Sequence, residues 1–119
     1  MGRRTRVLVV DDSAFARVVI SREIGSDPDV EVVGTAVDGI DAIEKIKSIR
    51  PDVVTLDIEM PKMDGMSTLK KLMAECPTPV IVLSRLTTED AETTIHALEA
   101  GAIDFVPKSP LASAGRVSL

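Results

Sequence analysis

Arg6-Val-Leu-Val-Val-Asp-Asp12 is a run of four aliphatic residues closed by two acids. A short apolar run without alternation, bounded by polar residues, predicts a strand buried on both faces. Such strands belong to parallel sheets covered by helices on either side. The same form recurs along the chain. Val53-Val-Thr-Leu56 ends at Asp57, Val80 to Leu83 ends at Ser84, and Ile103 to Val106 leads through Pro107 to Lys108. Ligands of open parallel sheets sit at the carboxyl ends of the strands, so Asp11, Asp12, Asp57 and Lys108 are expected to share one pocket. Carboxylates a few ångströms apart repel one another unless a cation or a proton neutralises them, which implies a bound divalent metal and an incoming anion. The arrangement predicts phosphoryl chemistry.

Between the strands the apolar spacing changes to three and four. Asp12 or Ser13 stands at an N-cap position before a helix from Ala14 to about Ile24, with Ala16, Val19, Ile20 and Ile24 on one face. Gly25-Ser-Asp-Pro28 breaks it, Val30 to Ala36 reads as the second strand, and Asp38-Gly39 opens a helix that buries Ile43 and Ile46. Arg50-Pro-Asp52 stops that helix. After Asp57, Ile58-Glu-Met-Pro-Lys-Met-Asp-Gly65 carries Pro61 and Gly65 and reads as a fixed turn. Met66, Leu69, Leu72, Met73 and Cys76 line a third helix, ended by Pro77-Thr-Pro79. Thr87 or Thr88 caps a fourth that runs through Leu98 and stops at Ala100-Gly101. Five strands with four intervening helices predict an α/β fold with an open, doubly wound five-stranded parallel sheet.

The 119 residues leave room for one domain. A net charge of −5 argues against binding nucleic acid, because polyanions need a basic face. Arg3, Arg4 and Arg6 read as a frayed basic terminus. The aliphatic run after them is too short for a signal-peptide core, and no stretch approaches membrane-spanning length. Cys76 has no internal disulfide partner, which fits a reducing, cytoplasmic setting. Phe15 and Phe105 are the only aromatics, so the core must be aliphatic.

The Asp11-Asp12 pair, Asp57 before Met60-Pro61 and Asp64-Gly65, Ser84 and Lys108 together resemble the receiver domain of two-component response regulators. The resemblance covers residues 5 to 110, and the joint spacing is far more specific than any one position. Val10-Asp-Asp-Ser-Ala-Phe15, Asp52-Val-Val-Thr-Leu-Asp-Ile-Glu-Met-Pro61, Pro77-Thr-Pro-Val80 and Gly101-Ala-Ile-Asp-Phe-Val-Pro-Lys108 are similar to the receiver half of the chemotaxis protein-glutamate methylesterases. The resemblance implies a flavodoxin-like sheet of strand order 2-1-3-4-5. It implies a receiver over residues 1–110, with 111–119 forming a partial fifth helix or the start of an interdomain linker.

The same resemblance implies a phosphoryl group passed from a chemotaxis-type histidine kinase onto Asp57. Mg2+ or Mn2+ would be held by Asp57, by Asp12 directly, by Asp11 through water and by the backbone carbonyl of Glu59. Lys108 would pair with a phosphoryl oxygen, and Ser84 would donate its hydroxyl to the phosphoryl group after transfer. Phe105 stands either at the aromatic switch position, packing inward as Ser84 moves, or as a plain core residue of strand five. A C-terminal methylesterase domain in cis would be the regulated element. His96, mid-helix among acids and threonine, reads as a surface residue.

Two positions depart from the family pattern. Arg85 follows Ser84 where a small residue is usual. It would span the mouth of the site and pair with Glu59, shielding the acyl phosphate from water, or face solvent. Lys108-Ser109-Pro110 stands where lysine is normally followed at once by proline. A lysine-serine bond stays trans, so the orientation of Lys108 is fixed less firmly than in the family. Other readings are a stand-alone response regulator acting by protein binding, and a phosphohydrolase that uses an aspartyl phosphate. The second is disfavoured because that class places its nucleophile strand first. A flavin or nucleotide carrier would need a glycine-rich or hydroxyl-rich phosphate cradle after strand one, where this chain has the Asp pair.

Overall fold

Val7, Leu8, Val9 and Val10 are all buried, because β1 (Thr5–Val10) has a parallel neighbour on each side: β2 (Val30–Ala36) and β3 (Val53–Asp57). The computed structural model describes residues 3–58, 65–85 and 88–113. Beyond β3 the sheet continues through β4 (Val80–Ser84) to β5 (Asp104–Pro107), giving the parallel order β2-β1-β3-β4-β5. The helices are α1 (Ala14–Gly25), α2 (Gly39–Ile49), α3 (Gly65–Glu75), α4 (Thr88–Glu99) and a short α5 (Pro110–Ser113). The expected strand order is the observed one, and the elements through β5 keep their expected bounds to within one residue.

Strand side chains alternate between two cores. Leu8, Val10, Val54, Leu56, Val80 and Val82 pack with Ile43 and Ile46 of α2, Leu69 and Leu72 of α3 and Ala97 of α4. Val7, Val9 and Leu83 face the other way, toward Ala16, Val19 and Ile20 of α1 and Ala112 of α5. Each fully buried aliphatic side chain contributes about 1.5–3 kcal/mol, which holds the strand ends in fixed register.

Local chemistry sets the helix ends. Ser13 caps α1 by accepting from Ala16 N at 3.2 Å, and Asp38 caps α2 by accepting from Asp41 N at 2.8 Å. Thr88 is already helical, so any cap on α4 by Thr87 lies outside the described residues. Gly65 opens α3 where the helix meets the end of β3. A Cβ there would stand 2.9 Å from both the Cα and the carbonyl oxygen of Ile58. Backbone cannot yield as a side-chain tip can, so Gly65→Ala is expected to lower stability by about 1–3 kcal/mol. It should also weaken divalent-cation binding, because Ile58 adjoins Asp57. Urea unfolding and a cation titration test this, and unchanged stability would refute the packing argument.

Two expectations fail. The N-terminal arginines are not frayed. Arg6 donates to the carbonyls of Arg50 at 2.8 Å and Ile49 at 3.1 Å, closing the end of α2, while Arg4 donates to Val30 O and Arg3 pairs with Asp52. Strand β5 is not buried either, since each of its four residues is exposed. Among the described residues it forms an edge of the sheet, with β4 as its neighbour.

Candidate functional site

Strands β1 and β3 are neighbours in the sheet, but the chain leaves them toward opposite edges, which makes their carboxyl ends the topological switch point. Asp11 and Asp12 follow β1, and Asp57 ends β3. One carboxylate oxygen from each of these acids lies within 4.8 Å of the others. Asp11 and Asp57 are fully buried and Asp12 half-buried. Since Ser13 provides the α1 cap, neither acid of the pair is needed for it, and both remain for chemistry.

Lys108 reaches the cluster from the chain beyond β5. Its buried Nζ donates to Asp11 Oδ2 at 2.8 Å and to Asp57 Oδ2 at 3.0 Å. No peptide bond among the described residues is cis, so Lys108 is aimed through a trans bond to Ser109. Backbone contacts supply the aim. Lys108 N donates to Ser84 O at 2.9 Å, clipping the residue to the end of β4. Ser109 Oγ accepts from Ala112 N at 3.1 Å, capping α5, and donates to Glu23 Oε1 on α1 at 3.0 Å. Ser109 in place of proline thus ties the lysine segment to two helices.

Asp11 is held on both oxygens, since Ser13 N donates to its Oδ1 at 2.9 Å. Burial pushes its carboxyl above the ordinary value of 3.8, and the Lys108 ammonium pulls the other way. A raised value means that the folded state holds this proton more tightly. The group's contribution to metal-free stability is therefore present below 3.8 and is lost as pH rises through the folded value. Cation binding has the opposite sign, because it needs the ionised form. Affinity for Mg2+ is expected to start falling at a pH above that of an exposed aspartate, which calorimetric titrations from neutral pH to about pH 4 would follow. Constant affinity over that range would contradict it.

The donor set fits a hard divalent cation. Lys108 brings one positive charge to a cluster of three carboxylates, and Mg2+ favours sites of one or two carboxylates completed by water and phosphate oxygens. Ser84 is buried at the end of β4, next to Leu83, the register partner of Asp57. Phe105 is 37% exposed and so is not a plain core residue, while the inward packing of the switch reading belongs to the state in which Ser84 has moved. Arg85 and His96 are exposed. Glu59, expected as a carbonyl ligand and as the partner of Arg85, lies outside the described residues.

Among the described residues, two further side chains at the site are not among the sequence candidates. Arg17 of α1 donates to the carbonyl of Asp11 at 2.8 Å, and Thr94 of α4 donates to Ser84 Oγ at 3.0 Å. Thr94 shares a helix face with buried Ala97 and half-buried Leu98. That spacing of three and four could have marked it as inward-facing.

Comparison with known proteins agrees with this geometry. The chain matches the family described as response regulator receiver domain over residues 7–114. It is 60% identical over 106 residues to a protein-glutamate methylesterase/protein-glutamine glutaminase of Lawsonia intracellularis, covering 89% of this chain and 30% of that protein. A protein of the same name from Pyrococcus abyssi is 61% identical over 107 residues, covering 90% and 29%. The chain thus spans less than a third of the length of these relatives. Among solved structures, the response regulator domain of Thermotoga maritima CheB superposes with a TM-score of 0.82 at 52% identity, covering 98% of this chain and 84% of that one. A complex of the CheA3 P1 domain with CheY6 from R. sphaeroides matches with a TM-score of 0.75 at 34% identity, covering 90% and 84%.

Proposed function

Since this chain belongs to the response regulator receiver family, we propose that it takes a phosphoryl group from a chemotaxis-type histidine kinase onto Asp57 and thereby controls a protein-glutamate methylesterase domain in cis. The observation that carries the reading is the buried bridge from Lys108 to Asp11 and Asp57, set in a three-carboxylate cluster at the switch point of the sheet. In the transfer, an Asp57 carboxylate oxygen forms a bond to phosphorus while the P–N bond to the kinase histidine breaks, and the electron pair leaves with the imidazole. Lys108 moves its donation from Asp57 toward a phosphoryl oxygen as charge shifts onto the new group. Asp11, Asp12 and Asp57, with the carbonyl of Glu59, would hold Mg2+ or Mn2+. Such a cation neutralises phosphoryl charge in a transition state governed by positioning and electrostatics.

Surface features support the partner assignments. Phe15 and Val18 are exposed one turn apart on α1, beside the acid pair, as an apolar landing for a kinase domain would need. Ile95, Ile103 and Phe105 are exposed on α4, β5 and the segment before it. They suit a surface whose contacts change when a phosphoryl group is added at the strand ends. No helix among the described residues is long and apolar enough to cross a membrane, and a cytoplasmic location is part of this proposal. The test is intact mass after incubation with Mg2+ and a small acyl phosphate: gain of one phosphoryl group supports the reading, and no gain at saturating donor overturns it.

A further inference from the structure

Ser84 is joined to helix α4 by a hydrogen bond between two side chains with almost no access to water. Thr94 Oγ1 donates to Ser84 Oγ at 3.0 Å, and the two residues are 5% and 1% exposed. Thr94 lies in the middle of α4, and Ser84 is the last residue of β4. The contact therefore links the strand end beside Asp57 to the helix that carries exposed Ile95, the residue after Thr94. We infer that Thr94 is a positioning residue for Ser84, holding its hydroxyl toward α4 and setting how readily it turns to a phosphoryl group on Asp57.

The inference rests on the phosphoacceptor reading and deepens it. A serine side chain has three staggered positions about one bond. Turning Ser84 Oγ toward an oxygen on Asp57 takes it away from Thr94. Serine and threonine hydroxyls in helices can bond the carbonyl one turn back, so Thr94 has a partner available within α4 when Ser84 leaves. The exchange involves the body of α4, so the state of Asp57 is passed to that helix through Thr94.

Thr94→Val removes the donor and keeps the shape. One net hydrogen bond no longer favours the arrangement with Ser84 turned to α4. Half-saturation by beryllium fluoride, a phosphoryl mimic used with Mg2+, should then come at about fivefold lower concentration, the equivalent of about 1 kcal/mol. The α4 amide NMR signals supply the readout. Thr94→Ser, which keeps the hydroxyl, should match the parent, and Thr94→Ala provides the same deletion if the valine variant does not fold. In a Ser84→Ala background the Thr94→Val change should have no effect, which a merely structural role for Thr94 would not produce. If the parent binds the mimic and Thr94→Val and Thr94→Ala leave half-saturation unchanged or raise it, the Thr94 inference is wrong while the receiver reading stands. If the parent does not respond to the mimic at all, the receiver reading fails and this inference falls with it.

Discussion

Asp57→Asn is expected to leave a folded protein that takes up no phosphoryl group from an acyl phosphate. The amide lacks the anionic oxygen that attacks phosphorus, so uptake should fall by more than about a thousandfold, the scale of deleting a nucleophile. Folding should survive because Asn fills nearly the same space and Lys108 keeps its bond to Asp11 at 2.8 Å. The repulsion between Asp57 and Asp11, one of the causes that raise the Asp11 carboxyl, is removed with the charge. Asp11 should consequently ionise at lower pH in the variant, which NMR titration of its side-chain carboxyl would show. Intact mass reads the main effect directly. Equal labelling of parent and variant would mean that another side chain accepts the phosphoryl group.

The strands and the acid cluster were legible because both depend on local pattern. An aliphatic run closed by Asp is a complete statement about a buried strand and its polar end, and burial of Val10 and Leu56 fixes Asp11 and Asp57 directly after them. Long-range side-chain bonds have no such pattern. Arg6 finds the carbonyls of Ile49 and Arg50 more than forty residues away, and nothing in the neighbourhood of Arg6 announces a helix end. The exposure of β5 also escaped the reading. Its apolar residues match those of a central strand, but burial of an edge strand depends on which elements cover it, and the run itself does not specify them. In the sequence Ser109 implies a loss of control over Lys108, because only the missing proline is visible there. The bonds of Ser109 to Ala112 and Glu23 give that position a different means of holding the segment.

Lys108→Met should be the most destabilising of the site substitutions in metal-free solution. The ammonium is buried between two buried carboxylates, at 2.8 and 3.0 Å. Methionine fills similar volume, so the loss is electrostatic, and removing one partner of a buried ion pair costs about 3–5 kcal/mol. The carboxylates left facing each other should then compete for any available cation. Mg2+ is expected to bind the variant more tightly than the parent and to return about 2.7 kcal/mol of stability at a hundred times its Kd. Catalysis should not return with it. The phosphoryl oxygen assigned to Lys108 would lose its donor from the β5 side, so phosphoryl uptake should stay down by about a hundredfold to a thousandfold, the usual cost of deleting one electrostatic donor. Urea unfolding with and without Mg2+, run beside the mass assay, separates the two effects. If stability and uptake recovered together, Lys108 would be serving the acids only as a counter-ion, and its assignment to the phosphoryl group would have to be given up.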